Sequence, residues 1–139
     1  MVLLLPLTAG VIAGMRTMLA PTTVAWAITP GPWAWGLTVL ALGEFAVDLH
    51  PKTPHRTDFG PFVARLVSGG VSGGLIGAAS GRLAPAIAAG AIGALVSTVG
   101  AHALRLRLAR AFGRDWPAAL IEDGVALTLA VVVWQGLAR

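Results

Sequence analysis

Five apolar stretches, at about 2–28, 33–50, 61–80, 84–104 and 117–137, follow one another with only short polar joins between them. A helix that crosses a hydrocarbon core needs roughly 17 to 25 mainly apolar residues, so each stretch is long enough. Lipid offers the backbone no hydrogen-bonding partner, which restricts such stretches to helices or closed barrels. The expected fold class is all-α: a polytopic membrane protein of about five transmembrane segments, forming a single transmembrane domain over 1–139. Composition agrees, since only 12% of residues are charged, against about 25% in soluble domains. Trp33 and Trp35 open the second stretch, Trp116 precedes the fifth and Trp134 lies near its end. These are the places where indoles meet a membrane interface.

Charge sets the expected orientation. The joins near 51–60 and 105–116 carry Lys52, Arg56, Arg105, Arg107, Arg110 and Arg114, whereas the opposite side has Arg82 and Arg139. Cytoplasmic loops are the rich ones in Lys and Arg, so the N-terminus is expected in the cytoplasm and the C-terminus outside. The formal charge of +4 is thus a topology signal, and nucleic acid is not an expected partner. Arg105, Arg107, Arg110 and Arg114 are expected against anionic lipid headgroups. The opening "MVLLLPLTAGVIAG" has no basic residue before its apolar run, so it reads as the first membrane segment and not as a cleaved signal. Cysteine is absent, which excludes disulfides, thiolate metal sites and cysteine nucleophiles.

The first stretch is interrupted. "AGMRTMLAP" places Gly14, Arg16 and Pro21 within it, and proline both removes a backbone donor and clashes with the preceding turn. A kinked span is expected. Its alternative is a full break with a re-entrant hairpin, tolerated only where protein or a wet cavity covers the freed backbone. In the third stretch, Gly69, Gly73, Gly77 and Gly81 recur every four residues, with Gly70 and Gly74 as a second row. Such rows let helix backbones approach closely in lipid, and Ala89, Gly93 and Ser97 make the expected facing row on the fourth stretch. Packing is preferred over a hinge or pore, and "GGVSGG" lacks the Lys-Ser/Thr of a phosphate-binding loop.

The remaining charges converge on one end of the bundle. Glu44 and Asp48 close the second stretch one helical turn apart, Arg65 lies one turn inside the third, His102 ends the fourth, and Glu122 and Asp123 sit early in the fifth. Ionisable groups inside a membrane are costly, so they pair, and they usually mark an ion, proton or substrate path. The expected pairs are Arg65 with Glu44 or Asp48, and Arg16 with Glu122 or Asp123. Arg16, Glu44, Asp48, Arg65, Glu122 and Asp123 are the candidate substrate- or ion-binding residues, with Lys52 and His102 as accessories. The competing account is an ion-pair network that only fixes helix register. The run "DLHPKTPHRTD" offers Asp48, His50, His55 and Asp58 as ligands, but its two prolines and its cations oppose a compact metal cage. No metal, cofactor or catalytic residue is therefore assigned.

The stretches "AGMRTMLAP", "GEFAVDLHPKTP", "AHALRLRL" and "IEDGVAL" together resemble the DUF4126 family of small bacterial membrane proteins. That resemblance covers most of the chain and implies a bacterial inner-membrane protein. On the family pattern, Gly14 and Arg16, Glu44 and Asp48, and Glu122 and Asp123 correspond to its polar positions, with Lys52 as the nearest match to a basic one. It implies no activity. Two functions follow from the residues. The first is a transporter or channel, homo-oligomeric because five short helices enclose little, in which Arg16 and Arg65 hold an anion or act as counter-charges and Glu44 and Glu122 carry protons or cations. The second is a non-transporting scaffold or accessory subunit whose charges serve packing. An enzyme is not expected.

Overall fold

The computed structural model describes residues 3–47 and 58–139. Asp48, His50, Lys52, His55 and Arg56 lie outside the described residues. The described chain is all-helical: α1 (Leu4–Met15), α2 (Leu19–Ile28), α3 (Pro32–Val47), α4 (Phe59–Ala79), α5 (Leu83–Phe112) and α6 (Trp116–Leu137). Of these, α4, α5 and α6 are long and apolar enough to cross a membrane. At 1.5 Å per residue they measure about 31, 45 and 33 Å, against a hydrocarbon core of about 30 Å. The expected first span is two short helices instead, with extended backbone at Arg16 between them. Neither is long enough to cross by itself, nor is α3.

Local sequence accounts for the boundaries. Pro32 occupies the first position of α3, where its missing N–H is one that a helix leaves unused anyway. Gly81, at φ 67°, turns the chain between α4 and α5, and the Arg82 N–H returns to the Gly77 carbonyl at 2.9 Å. The basic stretch after residue 104, expected as a loop beyond a helix end, is helical as far as Phe112. Its Leu, Arg and Ala residues are strong helix formers. Nothing stops them until Gly113, which adopts the left-handed conformation that ends helices without a Cβ penalty.

Small residues decide the packing. The core gathers Ala9, Ile12, Ala13, Ala20, Val24, Ile76, Ala94, Ala130 and Val133, and α1, α4 and α5 each pack against the other two. A Cβ on Gly69 would stand 2.6 Å from the Gly90 carbonyl oxygen, and one on Gly77 2.7 Å from that of Arg82. The row on α5 that meets α4 is therefore Ala86, Gly90 and Ala94, a correction to the expected Ala89, Gly93 and Ser97. Gly93 and Ser97 face α1 instead: a Cβ on Gly93 would stand 3.0 Å from the Val11 nitrogen, and Ser97 Oγ donates to the Val11 carbonyl at 2.8 Å. Rows offset by three residues point only about 60° apart on a helix, so the small side of α5 serves both neighbours at once.

The outside is greasy. Val39, Leu42, Val67, Val71, Val96, Leu120, Val131 and Val132 are exposed, a surface far more apolar than soluble monomers carry and suited to lipid. Trp33, Trp35, Trp116 and Trp134 are exposed too. Trp35 also meets Trp26 of α2 edge-on, with ring centroids 5.0 Å apart, and Trp26 Nε1 donates to Thr38 Oγ1 at 3.0 Å. These contacts hold α3 against α2.

Candidate functional site

The polar site is built on the interruption between α1 and α2. Pro21 has no N–H to give the carbonyl four residues earlier, that of Thr17. Ser68 of α4 supplies the missing donor, its Oγ lying 2.5 Å from that oxygen. On the other side of the break, the N–H groups of Thr17 and Met18 precede the first turn of α2 and have no helical acceptor. Glu44 of α3 takes both: Oε1 accepts from Thr17 at 2.8 Å and Oε2 from Met18 at 2.9 Å. A carboxylate placed there also meets the positive end of the α2 dipole. The break is thus closed by side chains from two other helices.

Arg16 is the residue at the opening. Its backbone N–H still bonds to Ile12 at 2.7 Å, while φ −138° and ψ 110° turn the chain out of the helix. Its guanidinium reaches α6, where Nε and Nη2 both donate to Asp123 Oδ1 at 2.8 and 2.5 Å. Phe45 of α3 packs its ring 4.2 Å from the guanidinium carbon, a cation–π arrangement. The side chains of Arg16 and Asp123 are 4% and 19% exposed, so water screens this pair little.

Of the two expected partners for Arg16, the structure bonds it to Asp123. Glu44 is a correction: it was expected to face a cation, Arg65, and its two oxygens are instead engaged by backbone N–H groups. The physical reason is that the break frees two backbone donors, and both lie within hydrogen-bond reach of the Glu44 carboxylate. Arg65 is buried, donates from Nη1 to the Pro61 carbonyl at 3.3 Å and lies one turn from Ser68 on α4. Its other expected partner, Asp48, falls outside the described residues, as does Lys52. Glu122 is buried on α6 and faces Arg105 of α5, with Nη1 3.5 Å from Oε2. Arg105 also grips Asp115 through two bonds, Nε to Oδ1 at 3.0 Å and Nη2 to Oδ2 at 2.5 Å. His102 is half-buried on α5, one turn before Arg105.

Arg16, Glu44, Glu122 and Asp123 therefore belong to one polar region, with Phe45, Ser68, Arg105 and Asp115 as members that sequence reasoning did not assign to it. Ser68 was open to discovery, because a proline in a helix points to the carbonyl four residues earlier as needing a donor. Arg105 was not, since its charge read as a loop signal. Among the described residues, no group of three His, Cys, Asp or Glu side chains is placed to hold a metal ion. The arrangement can exchange partners: a proton or cation competes with Arg16 for Asp123, and an anion competes with Asp123 for Arg16.

Replacing Ser68 by alanine leaves the Thr17 carbonyl without its donor, and a buried polar group so orphaned costs about 1 to 3 kcal/mol. The Ser68→Ala protein is expected to unfold at correspondingly lower denaturant or temperature in detergent. A wild-type midpoint for it would show that the Thr17 carbonyl finds another donor.

Comparison of the chain with protein-family models, with curated proteins and with solved structures finds no match in any of the three.

Proposed function

We propose that this chain is a small polytopic membrane transporter or channel, working as a homo-oligomer in the cell's inner membrane, with the Arg16–Asp123 pair as its site for an ion, a proton or a small solute. The observation that carries the reading is a buried guanidinium held at unwound backbone between two half-helices. Discontinuous helices with charged groups at the break recur in transporters. In this reading α1 and α2 together make the first crossing and α3, with the residues after it, the second. The N-terminus then lies in the cytoplasm. Arg107, Arg110 and Arg114 meet anionic lipid, and the likeness to DUF4126 is part of the same proposal. No step of bond chemistry is assigned, so the protein is not read as an enzyme.

One observation favours a second reading, a non-transporting scaffold. Glu44, the deepest acid of the second apolar stretch, holds the α2 N-terminus together, which is a packing role. Reconstitution separates the two. Purified protein in liposomes is expected to pass an ion or show pH-coupled flux, and Asp123→Asn protein that still folds is expected to lose it by at least about tenfold, the loss that 1.4 kcal/mol of site free energy produces. Absence of flux from the wild-type protein across a broad panel of ions and metabolites would favour the scaffold. Unchanged flux in folded Asp123→Asn would remove Asp123 from the path.

A further inference from the structure

A groove of about 490 Å³ runs down the outside of the molecule between α4 and α5. Every residue lining it is glycine or apolar, with Gly70, Gly74 and Ala78 on the α4 side and Leu83 and Ile87 on the α5 side. Gly69, Gly73 and Gly77 are taken up by the contact with the α5 backbone, but the second glycine row is not: the nearest atom to a Cβ on Gly70 is in the Ile87 side chain, at 3.6 Å. From Leu66 to Ala78 the groove follows α4 for about 18 Å at 1.5 Å per residue. That is close to the depth of one leaflet, half of a hydrocarbon core of about 30 Å.

The groove reaches the α4–α5 turn, where Arg82 directly precedes Leu83. The Arg82 side chain is exposed and makes no ion pair among the described residues. No described carboxylate side chain stands at this turn. Asp58 precedes α4 at its far end, Asp115, Glu122 and Asp123 belong to the start of α6 with Arg105 and Arg16, and Glu44 bonds to Thr17 and Met18 at the level of Ser68. Arg65, Arg107, Arg110 and Arg114 lie toward that far end as well. Arg139, which follows α6 as it returns, is the other charged side chain on the side of the turn among the described residues, and it too is a cation.

From this we infer that the groove holds an acyl chain of an anionic phospholipid from the leaflet opposite to the one that Arg107, Arg110 and Arg114 meet, with its phosphate against Arg82. A guanidinium can hold a phosphate by two parallel hydrogen bonds, and the chain then lies along the glycine row. A zwitterionic lipid would bring an ammonium that no carboxylate here answers. A second copy seated on this face by a two-fold axis along the membrane normal would turn Arg82 toward Arg82, because such an axis pairs equal positions. The inference goes beyond the transport reading and depends only on the membrane placement.

The test is photolabelling of the full chain in phosphatidylcholine nanodiscs, with trace phosphatidylglycerol or trace phosphatidylcholine carrying the same diazirine-bearing chain, and adducts mapped by peptide mass spectrometry. Residues 66–91 are expected to take about fivefold more label from the anionic probe, the preference that about 1 kcal/mol for one basic residue at a membrane surface gives. The α6 face with Leu127, Val131 and Val132, all exposed, is the internal reference and should take equal label from both. In Arg82→Gln the excess at 66–91 should vanish. In Gly70→Leu, whose Cβ meets its neighbour at ordinary contact distance, the added side chain fills the groove, and label at 66–91 should fall to the α6 level. Equal labelling of 66–91 by the two probes, or an excess that survives Arg82→Gln or folded Gly70→Leu, would overturn the inference. So would an unlabelled groove with chains cross-linked to one another through α4, which would make a second copy the occupant. Label on neither segment would overturn it together with the membrane placement. If Gly70→Leu does not fold, the comparison of the two probes on wild-type and Arg82→Gln protein decides.

Discussion

Gly90→Val protein is expected not to accumulate in folded form. A Cβ at this position points into the backbone of α4, 2.9 Å from the Gly69 carbonyl carbon and 3.2 Å from the Gly73 Cα. Backbone cannot swing aside as a flexible side chain can, so α4 and α5 must separate along their shared row. Separation also disturbs α1, because a Cβ on Gly10 would stand 2.8 Å from the Gly90 carbonyl carbon: three helices meet at one glycine. Overpacking a core commonly costs about 1 to 3 kcal/mol. Here the cost should lie at or above the top of that range, since Ala9, Ala13 and Ala94 around the crossing offer little side chain to repack. Gly36→Ala is the control. Nothing lies within 4 Å of a Cβ there, and alanine gains about 0.8 to 1 kcal/mol in helix propensity. Thermal or denaturant unfolding in detergent, together with yield, checks both. A Gly90→Val protein as stable as Gly36→Ala would mean that α4 and α5 do not cross at Gly90.

Asp123→Asn should be the most damaging change among the charged residues. It removes the charge facing a guanidinium that is 4% exposed, and breaking one side of a buried pair costs about 3 to 5 kcal/mol. Arg16→Gln removes the other side and should cost a similar amount. Changing both should hurt less than the two single changes together, because groups in direct contact are not additive. Unfolding midpoints of the two single variants and the double variant in one detergent give the coupling. Strict additivity would separate Arg16 from Asp123.

Much of this fold was legible in the order of residues, for reasons that particular segments make plain. α4, α5 and α6 begin and end within a few residues of the apolar stretches, except that α5 continues to Phe112 because Arg and Leu sustain a helix until Gly113 stops it. The glycine period of α4 announced close packing. It did not say which face of α5 would answer, since Ala86, Gly90 and Ala94 are as small as Ala89, Gly93 and Ser97. The charged site was legible as a region and not as a set of bonds. Arg16 and the Glu122–Asp123 pair stood out as charges in apolar sequence, but neighbouring residues on α6 point about 100° apart, and only three-dimensional placement assigns Asp123 to Arg16 and Glu122 to Arg105. Glu44 was misread for a different reason. Sequence shows that a carboxylate needs a partner, and it shows charged partners most readily; the two N–H groups freed near Arg16 exist only once the first stretch divides into α1 and α2.

The account depends most on Arg16, at the break in the first segment, bonding to Asp123 of α6. Solid-state NMR of the protein in bilayers, with nitrogen-15 in arginine side chains and carbon-13 in aspartate carboxyls, measures that proximity through dipolar dephasing. Assigned signals of Arg16 are expected to dephase against Asp123 at a nitrogen-to-carboxyl-carbon distance of about 3.5 Å, as a charge-assisted hydrogen bond requires. In Asp123→Asn protein that dephasing should vanish. Dephasing of Arg16 that survives the substitution, or none at all in the wild-type protein, would contradict the pair and with it the site.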